Sequence, residues 1–206
     1  MKRRIVKYRV FQTIRRTQTF ITQNVALIFL IGLVIVGAFL GNRIFNSFTV
    51  GQRSVLTDWL YAPVTPRDFS SAVKAVVTSG FTHAVFLILL FLFGMTAFGC
   101  PLILFALFVY GFRIGVIEGF SFISNGWIWT VVHVHIPILI ASCAILPAVK
   151  YSLRMSCIFS RQLLPYSAHC GGMWMEFKCY MLRYSICFCA IAASAITDVL
   201  LHVLVP

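Results

Sequence analysis

A run of 38 residues without a charged side chain lies between Lys74 and Arg113. As one α-helix this run would be roughly 57 Å long, at about 1.5 Å per residue, whereas the hydrocarbon core of a bilayer is about 30 Å thick. The run must therefore cross a membrane twice and fold back between the crossings. We predict the turn at Gly99 and Pro101, because Gly-x-Pro sequences are typical of tight turns.

The composition indicates a membrane protein throughout. Hydrophobic residues make up 60% of the 206 positions and charged residues 11%, which is too apolar for a soluble domain. The net charge of +12 could indicate nucleic acid, but the cations lie beside apolar runs, so we expect no nucleic-acid partner. The seven Cys include no C-x-x-C pair, so we expect no disulfide framework, no metal and no cofactor.

The apolar segments predict an all-α, polytopic membrane protein with a single domain, 1–206, and five transmembrane helices. The segment 1–24 holds seven Lys or Arg and no acid. This pattern predicts a basic interfacial helix on the anionic cytoplasmic leaflet. The predicted spans are 25–41, 81–98, 101–122, 127–149 and 184–203.

Two polar segments connect the spans. The segment 42–80 predicts an extracytoplasmic loop that ends in an amphipathic helix before span two, because Thr65-Pro66-Arg67-Asp68 has the residues of an N-cap and first turn. The segment 150–183 predicts a cytoplasmic amphipathic connector with a polar turn near His169.

Lys and Arg are unevenly distributed between the two sides. With the N-terminus inside, the inner segments hold twelve of them, seven in 1–24 and five in 150–183, whereas the loop 42–80 holds four. The positive-inside rule therefore predicts a cytoplasmic N-terminus and an extracytoplasmic C-terminus.

Gly111, Gly115 and Gly119 recur every fourth residue in span three. This spacing places them on one helical face, where the missing side chains let another helix backbone approach closely. We predict a helix-docking face. Its occupant can be another helix of the same bundle or the membrane anchor of a partner protein.

We single out five ionisable residues within the predicted spans, where charge is expensive and therefore suggests a function. Arg113 and Glu118 are about 140° apart around a helix, so we expect each to have a partner on another helix, with Asp198 a candidate for Arg113. An interhelical ion pair, a transport or proton-relay path and snorkelling to an interface remain open. The five residues are Arg113, Glu118, His133, His135 and Asp198.

His133 and His135 point about 200° apart on an α-helix and so cannot share a metal ion. Pro137 follows in the same span, and we expect these imidazoles to cap carbonyls that the proline frees. The chain contains no H-E-x-x-H or G-x-S-x-G motif. We therefore expect no catalytic residues and no enzymatic activity.

The stretch FGCPLILFALFVYGFRIGVIEGF, followed by a Trp-rich turn and by AVKYSLRMSCIFSRQLL, resembles the stage II sporulation protein M family. The resemblance extends from about Phe69 to Leu164. Its most specific parts are the Gly-x-Pro turn at Gly99 and Pro101, the glycines followed by Phe120, and the Ser-Leu-Arg sequence that ends at Arg154.

This resemblance implies a non-enzymatic scaffold in the cell membrane of endospore-forming bacteria. Such a protein recruits or anchors peptidoglycan-degrading partners, similar to stage II sporulation proteins P and D, for septal wall removal during engulfment. The expected partners are these hydrolases and membrane lipids, and homo-oligomer formation stays open. The alternative is a small multi-pass permease or channel subunit, which a continuous polar cavity reaching Arg113 and Glu118 would favour.

Overall fold

The computed structural model describes residues 2–49, 51–53, 69–162 and 173–204 of the chain, and these residues contain helices and no strand. Five of the helical segments are long and apolar enough to cross a membrane. This confirms the prediction of an all-α, multi-pass membrane protein. The segments are Val25–Ser47, Val76–Gly94, Gly99–Asn125, Trp127–Arg161 and Trp174–Leu201.

The helices follow one another with short connections wherever the connections are described. A π-helical segment, Val131–His135, joins two α-helices, so that the fourth span is one continuous but irregular helix. In chain order the α-helices are α1 (Lys2–Ser47), α2 (Phe69–Gly94), α3 (Gly99–Asn125), α4 (Trp127–Thr130), α5 (Ile136–Gln162) and α6 (Met173–Leu204).

Several helices extend beyond the predicted spans. The basic segment 1–24 and span one were expected as separate elements, yet α1 runs without a break from Lys2 to Ser47. No Gly or Pro interrupts residues 2–31, so nothing in the backbone favours a break there. Likewise α5 and α6 continue into the predicted connector 150–183, leaving 163–172 outside the described residues. The predicted helix start at 65–68 also lies outside them.

The turn between spans two and three lies earlier than we predicted. Residues 95–98 are non-helical, and α3 begins at Gly99, with Pro101 in its first turn. Proline is tolerated there because its missing N–H would have no helical acceptor. A Cβ at Gly99 would collide with the Phe93 carbonyl and lie 2.9 Å from Ser156 Oγ. Gly99 is therefore required for close packing beside the turn.

Helices α2, α3, α5 and α6 surround the apolar core. Helix α1 packs against α3 at the periphery of this group. The core side chains come from all four surrounding helices and are almost fully buried. They include Leu87, Leu90, Ile103, Leu107, Ile145, Val149 and Ile191.

The turn between α3 and α4 is a single residue. Following the predicted orientation, we call the end of the bundle with this turn the outer end, and the end with the turn 95–98 the inner end. Gly126 has φ 83°, in the left-handed region that favours glycine. This residue lets α4 begin directly with Trp127, whose side chain is exposed, as expected for an aromatic residue at a membrane interface.

The two ends of the bundle allow a direct test of the predicted orientation. Gln52 follows the outer end of α1, and Thr96 lies in the inner turn; both are exposed. In a variant without native cysteines, we expect an impermeant maleimide applied to intact cells to label Gln52→Cys but not Thr96→Cys. Both should react after permeabilisation. Labelling of Thr96→Cys but not of Gln52→Cys in intact cells would show that the protein has the opposite orientation.

Candidate functional site

Helices α1 and α3 pack in parallel along a glycine seam, which we define as Gly37 and Gly41 of α1 with Gly111, Gly115 and Gly119 of α3. A Cβ at Gly115 would collide with the Ala38 backbone, and a Cβ at Gly41 would collide with that of Phe112. The two backbones therefore touch directly, as in small-xxx-small packing.

The contact repeats along both helices. A Cβ at Gly37 would lie 2.5 Å from the Phe108 carbonyl oxygen, and one at Gly119 would lie 2.9 Å from Phe45 Cδ1. The seam thus extends over more than two turns of each helix.

The predicted face at Gly111, Gly115 and Gly119 is covered by the chain's own α1. Of the two occupants that the sequence left open, the bundle's own helix is the one present. The expectation that this face holds a partner's membrane anchor is wrong for this structure, because α1 leaves no space beside the α3 backbone. Sequence reasoning missed the matching glycines of α1, although Gly37 and Gly41 have the same four-residue spacing.

The outer end of α1 is fixed by aromatic and cationic contacts. Phe45 is 1% exposed and meets the Phe120 ring edge-on at a centroid distance of 6.5 Å. The Arg53 guanidinium lies 5.4 Å from the centroid of the Phe45 ring and donates a 2.7 Å hydrogen bond to the Asn46 carbonyl. These contacts continue the glycine seam to the membrane interface.

An outer polar cluster joins α3 to the start of the fourth span. Glu118 Oε1 lies 3.4 Å from His135 Nε2, and His135 Nδ1 lies 3.2 Å from the Thr130 carbonyl oxygen. The buried hydroxyls of Ser121 and Thr130 are 2.9 Å apart. Glu118 therefore meets a partner on another helical segment, and that partner is His135.

His133 has a different environment from His135. The His133 side chain is 3% exposed, and its ring stacks on Trp129 with centroids 4.5 Å apart, whereas His135 is 45% exposed. Within the described residues, no three His, Cys, Asp or Glu side chains come together as a metal site.

The π-helical segment ends just before Pro137. Such a segment widens the helix and accommodates a proline that cannot donate its N–H. Pro137 is also linked to another span, because Ser194 Oγ of α6 donates a 2.8 Å hydrogen bond to the Pro137 carbonyl. Asp198 lies one turn beyond Ser194 on α6. Its pairing with Arg113 stays a prediction.

A deeper polar group lies between α2 and α3. The His83 and Tyr110 rings are 6.0 Å apart, Tyr110 is 3% exposed, and Arg113 lies one turn beyond Tyr110 on α3. Sequence reasoning selected Arg113 but missed His83 and Tyr110, because neither interrupts an uncharged run. The signal available was that both are polar side chains inside the run between Lys74 and Arg113.

An inner hydroxyl network joins α2, α5 and α6. Ser152 Oγ contacts both Tyr180 and Tyr184. Tyr180 donates a 3.0 Å bond to the Phe91 carbonyl, and Tyr184 donates a 3.3 Å bond to the Ala148 carbonyl. Bonds of this kind satisfy buried hydroxyls and orient the helices relative to one another.

The chain matches no protein-family model, no curated protein and no solved structure. The resemblance to the stage II sporulation protein M family stays a prediction from the sequence motifs alone.

Replacing Gly115 with Leu should separate α1 from α3. The new side chain would overlap the Ala38 backbone, and overpacking of this kind costs about 1–3 kcal/mol. Denaturant titration in detergent should show the loss as a lower free energy of unfolding.

Gly32→Leu is the matched control, since a Cβ at Gly32 has nothing within 4 Å. If Gly32→Leu lowered the free energy of unfolding as much as Gly115→Leu, the glycine seam would not be the contact that holds α1 on α3.

Replacing Tyr184 with Phe should destabilise the bundle. The change removes the hydroxyl that contacts Ser152 and the Ala148 carbonyl, and the loss of a hydrogen bond costs about 0.5–1.5 kcal/mol. The thermal midpoint in detergent should fall. Tyr151→Phe, at a half-buried position of α5, is the control and should leave the midpoint nearly unchanged; similar falls would argue against the network.

Proposed function

We propose that the protein is a non-enzymatic scaffold of the bacterial cell membrane, which recruits or anchors membrane-bound peptidoglycan-degrading enzymes during septal wall removal. The observation that carries this proposal is the apolar packing between the four central helices. Leu87, Leu90, Ile103, Leu107, Ile145 and Val149 are all fully buried there.

This packing favours a scaffold over a transporter. A permeation path needs polar or water-filled space through the bundle. The Glu118–His135 pair lies towards the outer end, and the large apolar side chains of the core lie between it and the inner turn. A bundle packed in this way is suited to holding helices in a fixed arrangement for a partner to bind.

The outward face of α1 is the surface that we assign to the partner's membrane anchor. The glycine seam occupies the other face of α1, and Ile35 and Phe39 point away from it with 61% and 65% exposure. Helix association in lipid depends on van der Waals packing, and α1 offers a ridge of large side chains on a helix that is held in place. The extracytoplasmic segment between α1 and α2 supplies the rest of the contact.

A small permease or channel subunit is the second candidate. The observation that favours it is the polar group of His83, Tyr110 and Arg113 inside the membrane span, since intramembrane ionisable residues mark pathways in many transporters. Solute or ion flux through liposomes containing the purified protein, lost in Arg113→Gln, would support this candidate over the scaffold.

Co-purification tests the scaffold and its surface together. From native membranes, the tagged wild-type protein should bring down an activity that cleaves peptidoglycan in a zymogram. Phe39→Ala should reduce that activity at least about fivefold, because a large exposed side chain of the contact is lost.

Phe81→Ala on α2 is the matched control, since Phe81 is 66% exposed, and it should retain the activity. The absence of any peptidoglycan-cleaving activity from the wild-type sample would refute the scaffold proposal. Equal losses in the two Phe variants would refute the assignment to α1.

A further inference from the structure

A small cleft opens between α5 and α6 at the inner end of the bundle. It is lined by Tyr151, Arg154, Glu176 and Arg183. Two arginines and an aromatic ring therefore meet at one small, open cleft.

Two arginines bring positive charge to the inner cleft. Arg154 Nη2 is 2.8 Å from Glu176 Oε1, with side-chain exposures of 56% and 41%. The Arg183 guanidinium lies 4.8 Å from the centroid of the Tyr151 ring. No carboxylate of the described residues is within salt-bridge distance of Arg183. Stacking on Tyr151 thus fixes the guanidinium and leaves its N–H groups available to an acceptor.

The position of the inner cleft matches the depth of lipid headgroups. Tyr180, which also lines the cleft, bonds the Phe91 carbonyl one turn before the inner end of α2. Nearby, Trp174 is 68% exposed, and Lys178 lies 5.2 Å from the centroid of its ring. Exposed Trp and Lys side chains of this kind are typical of the membrane interface.

Apolar surface continues from the inner cleft towards the bilayer centre. Leu182 and Ile186, next to and one turn beyond Arg183 on α6, are 66% and 62% exposed. An acyl chain can lie along these residues while its headgroup reaches Arg183. A free phosphate ion would gain nothing from them, so the combination favours a lipid.

We propose that the inner cleft binds the phosphate headgroup of an anionic phospholipid, with Arg183 as the main donor and Arg154 as a second one. Glu176 competes with the phosphate for Arg154 and so weakens binding. This site is independent of the partner-binding function proposed above, because it lies on α5 and α6 and not on α1.

The test uses the purified full-length protein in nanodiscs of phosphatidylcholine doped with fluorescent phosphatidylglycerol, with energy transfer from the protein as the readout. The wild type should enrich phosphatidylglycerol around itself, and Arg183→Gln should reduce the apparent affinity about five- to tenfold, as expected for one interfacial cation. Arg183→Lys should lose less, because it keeps the charge but not the bidentate geometry.

Lys150→Gln is the matched control, since Lys150 is exposed on α5 but does not line the inner cleft; it should keep the wild-type affinity within about twofold. Glu176→Gln should increase the affinity several-fold by releasing Arg154. A gain of this kind cannot arise from misfolding, and exposed ion pairs contribute little to folding.

Three outcomes would overturn the proposal. Equal losses in Arg183→Gln and Lys150→Gln would mean diffuse attraction to the leaflet. An unchanged or weaker affinity in Glu176→Gln would show that Glu176 does not compete with the phosphate for Arg154. Complete displacement of the lipid by millimolar glycerol phosphate would make the ligand a soluble phosphate.

Discussion

The structure depends on the direct backbone contact between α1 and α3. Inside a bilayer, lipid tails are as apolar as the side chains of a helix, so burying leucine gives little net driving force for association. Close van der Waals packing then becomes the main attraction between helices. Glycines on both helices remove the side chains that would separate the backbones, and α1, which has few other contacts in the described bundle, is held by this packing.

Polar contacts position the remaining helices around the apolar core. They are concentrated near the two ends, with Ser152 and two tyrosines at the inner end and Glu118, His135 and Ser194 towards the outer end. Between them large aliphatic side chains fill most of the core, beside the polar group of His83, Tyr110 and Arg113. The bundle is therefore oriented by hydrogen bonds near the interfaces and filled by shape complementarity in the middle.

The sequence was sufficient to predict the helical class and the five spans, because the length of an uncharged, apolar segment shows directly whether it can cross a bilayer. It was poorer at helix ends. The turn before Gly99 was misplaced because Pro101 is tolerated, and Gly99 is required, in the first turn of α3. The continuity of α1 was missed because a change from basic to apolar residues alters the surroundings of a helix without altering its backbone.

The candidate site was predictable only in part for a related reason. Spacing within one helix indicated the glycine face of α3, but its occupant depends on which helix lies beside it, and only the tertiary structure supplies that. His83 and Tyr110 were missed because a neutral residue in an apolar run attracts no attention until its neighbours are known. Glu118 was recognised, yet its partner, His135, is placed by a π-helical segment that the sequence pattern does not reveal.

The unbroken course of α1 has a mechanical consequence. At about 1.5 Å per residue its 46 residues form a rod roughly 69 Å long, more than twice the thickness of the hydrocarbon layer. Because α1 is held by the glycine seam near one of its ends, it acts as a lever about that contact. A tilt of the arginine-rich end by a few degrees therefore applies a torque to the Gly37–Gly111 contact. A movement of α1 on one side of the membrane is in this way coupled to the helix packing near the other side.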